Sequence, residues 1–413
     1  MVVAAVIVAP SSGISPLMQF GGLSLLKRAV LTAQKMGAQT CHIALPEVSA
    51  TLRQEIENDP RVVSRVVWEF AEPPCDNISD TSAQEAQWLV YPVDAIFRHP
   101  LVQHLLEIEQ TGQSFVVLDR EGEPALLAAR GKLAARLWPE LAQGRSFSEV
   151  SQLFGQETVQ RSTPQGHFLG RLKQVGDVKT LEHVLLCSLE NAKDGMVDTH
   201  LNRKFSRPIT RWLLRTPITP NQVTVSAGVV CVLGALCFAA GGYWGPLLGA
   251  LCLQFSTVLD CCDGEIARIK FMESPLGDTL DIVVDTVGSI AIFLGIGAAV
   301  WKNGGSEYAL VLGGVLALGG VLSFPLVTLA ERTEEAGKRR GGWEDTLIQT
   351  LLLSLTSRDY SLLILASALA GQLSWFLWGA AFGSHVFWIF LAWLLFRARR
   401  FGLVRETWRG KAQ

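Results

Sequence analysis

Residues 260–285 read DCCDGEIARIKFMESPLGDTLDIVVD, and the rest of the chain is organised around them. Asp260, Asp263, Gly264 and Ala267 fall at i, i+3, i+4 and i+7, one face of a helix. Gly277, Asp281 and Asp285 fall at i, i+4 and i+8, one face of a second helix. Pro275 and the charged residues before it predict a turn that lets the two helices run antiparallel. The flanking sequence is apolar enough to span a membrane. Carboxylates at that depth are costly unless paired, hydrated or bound to metal, which marks them as functional. Four converging carboxylates require a strong counter-charge, and a pair of divalent cations supplies it. Arg268 can neutralise a phosphate oxygen, and the two glycines let a ligand approach closely. The stretch therefore reads as hard cations, oxygen ligands and a diphosphate.

The spacing Asp-x-x-Asp-Gly-x-x-Ala-Arg, then eight residues, then Gly-x-x-x-Asp-x-x-x-Asp resembles the signature of the CDP-alcohol phosphotransferases. It stands here as Asp260, Asp263, Gly264, Ala267, Arg268, Gly277, Asp281 and Asp285. The resemblance implies transfer of a substituted phosphoryl group from a CDP-linked donor to an alcohol, with release of CMP. It assigns Asp260, Asp263, Asp281 and Asp285 to two divalent ions, Mg²⁺ or Mn²⁺, and makes Asp285 the general base. Gly264, Ala267, Arg268 and Gly277 would form the donor pocket. Asp278, one turn before Asp281, could help from beside this face. The family also commonly forms homodimers through its membrane helices. The competing reading of the acids is an ion-conducting or regulatory bundle, which needs neither the glycines nor the arginine.

At 413 residues the chain has room for two domains. Its formal net charge of −2 and the lack of a basic tract with interleaved aromatics exclude nucleic acid as a partner. Eight cysteines show neither CxxC nor zinc spacing. The apolar opening MVVAAVIVAP lacks a basic n-region and an A-x-A site, so it reads as a buried strand rather than a signal peptide.

Residues 1–190 alternate apolar runs with helical patterns, which predicts an open α/β sheet. Strands are expected in VVAAVIVAP, TCHIALP, RVVSRVVW, QWLVYPVDAIF and SFVVLDR, and helices in LSLLKRAVLTAQKMGA and SATLRQEIEND. The order is similar to a nucleotidyltransferase domain of the sugar-nucleotide type. Gly21–Gly37 resembles the helix after that family's nucleotide loop, and Asp94 and Asp177 stand where it often keeps metal-binding aspartates. The loop PSSGISPLMQF departs from the pattern, since it carries neither the arginine nor the lysine that hold a triphosphate. The expectation is a degenerate, non-catalytic domain. The alternative is a bifunctional chain whose soluble half makes the CDP-linked donor.

Residues 191–221 form a juxtamembrane linker in which Arg203, Lys204, Arg207, Arg211 and Arg215 alternate with Phe205, Ile209, Trp212 and Leu213. This suits an anionic leaflet. Residues 222–400 are expected to form an all-α bundle of six spans, near 222–242, 244–268, 276–301, 307–330, 360–380 and 383–398, with a tail over 401–413. A short interfacial helix is expected over 343–356 between the fourth and fifth. Asn221 and Thr224 either cap the first span or face the site as part of the donor pocket. Lysines and arginines crowd one side of the predicted spans, leaving Lys302 alone on the other. This places the soluble half and the aspartates on the cytoplasmic side of a cell inner membrane. Arg332 and Arg358, at the same rim, either clamp an acceptor phosphate or only serve topology. The resemblance extends to fused members of the family that handle inositol phosphate, which implies a polyol phosphate as the acceptor. The donor would be CDP-diacylglycerol or CDP-inositol, and the product a phospholipid or polar head group.

Overall fold

The computed structural model describes residues 2–10, 13–45, 49–68, 87–108, 114–119, 121–130, 132–143, 145–155, 158–163, 167–189, 197–337 and 360–400. The chain divides into two compact units, Met1–Leu189 and Glu190–Gln413.

The first unit is an α/β sheet. Its strands are β1 (Val2–Val8), β4 (Thr40–Ala44), β5 (Arg65–Val67), β6 (Gln87–Pro92), β8 (Phe115–Leu118), β9 (Pro124–Arg130) and β10 (Val159–Ser162), in the order β10-β8-β9-β6-β1-β4-β5. Two small ribbons pair β2 (Gln19–Phe20) with β3 (Leu23–Ser24), and β7 (Ala95–Phe97) with β11 (Leu169–Arg171). The helices are α1 (Leu25–Lys35), α2 (Ala50–Glu57), α3 (His99–Ile108), α4 (Lys132–Ala142), α5 (Phe147–Leu153) and α6 (Val178–Cys187).

The apolar opening is β1, paired in parallel with both β4 and β6 at the centre of the sheet. Buried on both faces, it needs the continuous hydrophobic run that made it resemble a signal sequence. β9 runs antiparallel to both β6 and β8. Val6, Val90, Leu127, Leu137, Phe147 and Val150 form one core cluster of this unit.

The second unit contains α7 (Arg203–Leu213), α8 (Pro220–Ala240), α9 (Trp244–Ile269), α10 (Pro275–Lys302), α11 (Tyr308–Gly337), α12 (Tyr360–Leu369) and α13 (Leu373–Arg400). Among the described residues, five of these (α8, α9, α10, α11 and α13) are long and apolar enough to cross a membrane. Many of their large apolar side chains face outward, among them Val229, Leu236, Leu251, Val287, Phe382 and Phe396. The chain is an integral membrane protein. Trp244, Trp301, Trp375 and Trp378 are exposed near helix ends, as interface anchors are.

The first four expected spans match α8 to α11 closely. The last two divide elsewhere. The break falls at 370–372, not near 381–382, and α13 then runs unbroken through Gly379 and Gly383. Gly371 has φ of 65°, a left-handed terminus that glycine adopts without strain. Of the expected fifth span, Tyr360–Leu369 is what the described residues show as α12. The expected helix over 343–356 and the tail from 401 lie outside the described residues.

Candidate active site in the helical unit

The two halves of the motif meet against a third helix. α9 and α10 both pack along α8 and make much less contact with each other, which leaves a cavity between them. Its volume is about 280 Å³. Asn221, Thr224, Asp263, Arg268, Gly277 and Asp281 are among its lining residues.

Local chemistry fixes each wall. α8 opens with a capping box in which Thr219 Oγ1 accepts from the Gln222 amide at 3.4 Å and Gln222 Oε1 accepts from the Thr219 amide at 3.0 Å. Pro220 follows at the first helical position, where its missing N–H costs nothing. α9 ends in a Schellman turn: the Met272 amide donates to Ala267 O at 2.8 Å and Phe271 takes φ of 55°. A non-glycine there carries roughly 1–2 kcal/mol of strain. α10 then starts on Ser274, whose Oγ accepts from the Gly277 amide at 3.1 Å.

Carboxylate oxygens of Asp260, Asp281 and Asp285 all lie within 4.8 Å of one another, and all three residues are half-buried. The cluster is an all-oxygen donor set with the hard character that Mg²⁺ or Mn²⁺ requires, so the residues fit such an ion. Asp263 is more deeply buried, 7% exposed, and faces the cavity. Its Oδ2 accepts from Thr224 Oγ1 at 2.6 Å. Asp281 belongs to both groups, reaching the cluster and lining the cavity.

Arg268 folds back so that its Nε donates to Gly264 O at 2.9 Å. A Cβ at residue 264 would stand 3.0 Å from Arg268 Nη2, so glycine there gives the guanidinium its path. A Cβ at residue 277 would meet Asn221 Oδ1 and Ser274 Oγ, each at 3.2 Å. Gly277 thus lets the start of α8 and the start of α10 close on the cavity. Ala267 and Asp278 also line it, as do Met272 and Glu273, which sequence reasoning did not single out. Both lie in the turn that the periodicity passes over.

Arg332 lies within α11, and Arg358 lies outside the described residues. In the first unit Asp94 is fully buried and paired with Arg171 at 3.3 Å. Asp177 Oδ2 accepts from the Gln174 amide at 2.9 Å, a turn-capping role. Lys27 is bound to Asp59. Arg28 is buried, donates to Phe20 O at 3.2 Å and stacks on the Phe20 ring. Burial lowers its pKa to about 10, partly offset by Glu182.

The carboxylate-lined cavity, set among long apolar helices, has the donor chemistry to take a charged ligand together with a hard cation. Residues 217–384 match the family model of the CDP-alcohol phosphatidyltransferases, and the helical unit carries a CDP-alcohol phosphatidyltransferase domain. Among similar proteins is a bifunctional IPC transferase and DIPP synthase of Rubrobacter xylanophilus, 34% identical over 142 residues, which cover 34% of this chain and 32% of that protein. Another is a phosphatidylinositol phosphate synthase of Mycolicibacterium smegmatis, 32% identical over 141 residues, covering 34% of this chain and 60% of that one. The chain thus spans about a third of the length of the first of these relatives and under two thirds of the second. Two solved structures show weaker likeness. The phosphatidylinositol phosphate synthase of Mycobacterium tuberculosis, with manganese and citrate, aligns with a TM-score of 0.32 and 21% identity over 46% of this chain and 88% of that one. The 4-diphosphocytidyl-2C-methyl-D-erythritol synthase of Anaerococcus prevotii aligns with a TM-score of 0.33 and 12% identity over 45% of this chain and 98% of that one.

Proposed function

We propose that the chain is an enzyme that transfers a substituted phosphoryl group from a CDP-linked donor to the hydroxyl of a polyol phosphate, releasing CMP. The observation that carries this reading is the convergence of Asp260, Asp281 and Asp285 beside a cavity walled by Gly264, Arg268 and Gly277. The name of one relative, phosphatidylinositol phosphate synthase, supports an inositol phosphate as acceptor, and CDP-diacylglycerol as one donor follows from the family resemblance.

In this reading Asp260, Asp263, Asp281 and Asp285 hold two divalent cations, Mg²⁺ or Mn²⁺. Those ions supply the charge neutralisation that a diphosphate needs on its way to the transition state. The protein's own groups do the rest. Arg268 lies along the α9 face of the cavity, placed to pair with a phosphate oxygen. Asn221, Gly264, Ala267 and Gly277 shape the space for the donor. Asp285 takes the proton of the acceptor hydroxyl as its oxygen bonds to phosphorus and the bond to the CMP oxygen breaks. Arg332 and Arg358 complete the reading as an acceptor-phosphate clamp. The cytoplasmic placement of the site in an inner membrane rests on the lysine and arginine bias, and a homodimer on the family resemblance.

The test is CMP release by the purified full-length chain from CDP-diacylglycerol, against a panel of alcohols and polyol phosphates. Asp281→Asn should abolish turnover, because Asp281 serves both the cluster and the cavity. Wild-type activity in that variant, or in excess chelator, would contradict the two-ion site.

A further inference from the structure

The back of α9, away from the cavity, carries two buried ionic side chains that the chemistry above does not use. Glu265 is fully buried and Lys270 is 5% exposed. Glu265 lies between the motif residues Gly264 and Ala267 but points at α7. Its carboxylate accepts from Ser206 Oγ at 2.9 Å, from Thr210 Oγ1 at 2.5 Å and from Arg203 Nη1 at 3.3 Å. α7 therefore turns a polar face inward, while Phe205 and Trp212 are exposed on its outer side. Arg203, expected at the lipid surface, is buried in this seam. Positive-inside bias alone does not explain Lys270. Its Nζ donates to Thr216 O at 2.8 Å and Ile218 O at 3.3 Å, in the connection that follows α7.

That connection ends at Thr219, the cap of α8. Two residues on, Asn221 stands against Gly277, and in the next turn Thr224 donates to Asp263. The ammonium that holds carbonyls 216 and 218 thus fixes where the α8 rim enters the cavity. The carboxylate of Glu265 fixes the α7 segment just before it. Buried ionic groups are retained only with such partners, since leaving either one unpaired is strongly unfavourable.

We propose that Lys270, with Glu265 as its companion, is a positioning residue for the donor pocket. Together they tie the α7–α8 segment to the back of α9, and so set Asn221 and Thr224 against Gly277 and Asp263. This rests on the reading of the cavity as the site of a CDP-linked donor.

The test measures the affinity of the detergent-purified full-length chain for CDP in the presence of Mn²⁺, by equilibrium dialysis. Lys270→Met should weaken CDP binding about tenfold, the scale expected when hydrogen bonds from a charged group are lost. Lys270→Arg, which keeps a cation able to donate to both carbonyls, should restore most of that affinity. If Lys270 acts through the α8 rim, Lys270→Met combined with Thr224→Val should cost no more than the worse single change. Glu265→Gln gives a second entry to the seam if Lys270→Met does not accumulate. Strictly additive effects would overturn the proposal. So would a loss of folded protein whose surviving fraction binds CDP with wild-type affinity, since the seam would then be structural only. A wild-type chain that binds Mn²⁺ but not CDP overturns the pocket assignment itself, an outcome distinct from a variant that fails beside a competent wild type.

Discussion

Thr224→Val removes one hydroxyl and nearly conserves volume, so it isolates the hydrogen bond to Asp263. Thr224 is 5% exposed and Asp263 7%, and water cannot readily replace the lost donor. The hydroxyl lies 2.6 Å from Asp263 Oδ2 and 3.2 Å from Pro220 O. Its single proton goes to the nearer and charged acceptor. Such a bond contributes about 1.5–3 kcal/mol, equivalent to roughly ten- to a hundredfold in an equilibrium constant. Partners that orient metal-ligating carboxylates cost a similar about 10–100-fold in metal affinity or activity when removed. The expected result is therefore a rise of one to two decades in the Mn²⁺ concentration for half-maximal CMP release, with the fold retained. The assay is an Mn²⁺ titration of CMP release, alongside direct Mn²⁺ binding followed by electron paramagnetic resonance. Unchanged Mn²⁺ dependence in a well-folded variant would refute the claim that Thr224 acts through Asp263.

Three further outcomes are expected. Asp285→Asn should lose most of the rate while CDP binding survives, because proton abstraction acts on the transition state more than on the bound donor; a parallel collapse of donor affinity in dialysis would make Asp285 chiefly a ligand. The purified full-length chain should release no pyrophosphate from CTP, Mg²⁺ and inositol or glycerol phosphate, since Lys27 and Arg28 are tied to Asp59 and Phe20; robust release would establish a bifunctional chain. Acidification should destabilise the first unit through His42, whose pKa burial, and then Arg65, lower from 6.5 to about 4. Because the folded pKa is the lower one, the unfolded state binds more protons, and stability present above pH 6.5 is lost as pH falls toward 4. The loss is at most about 3 kcal/mol, and thermal melts of His42→Gln should show a flatter acid limb.

How far the sequence reached differs between the two units. The carboxylate cluster was legible because helical spacing alone determines which side chains share a face, and both helices are regular through the motif. The wall supplied by α8 was only partly legible. Thr224 could be placed near the site, but its partner Asp263 lies 39 residues away on another helix. The turn before Pro275 was expected, but the left-handed conformation of Phe271 within it was hidden, since a left-handed helix end usually announces itself with glycine. In the first unit the central strands declared themselves by continuous apolar runs. β9 did not, because PALLAAR reads equally well as helix, and its antiparallel place between β6 and β8 is decided by partners distant in sequence. Asp94 and Asp177 illustrate the limit of position: their roles are set by Arg171 and the Gln174 amide, which spacing cannot reveal.

The three-helix arrangement of α8, α9 and α10 has a consequence for how the protein is made. Among the described residues, the carboxylate cluster and every residue lining the cavity beside it lie between Pro220 and Asp285. A nascent chain that has delivered its first three spans to the bilayer already holds the acidic groups and their counterparts. The acids need not wait, uncompensated in lipid, for the helices that follow. Sequence changes in α11 to α13 can then accumulate with little effect on the carboxylate cluster, and under the proposed function that half of the bundle is free to diverge with the bilayer and the acceptor.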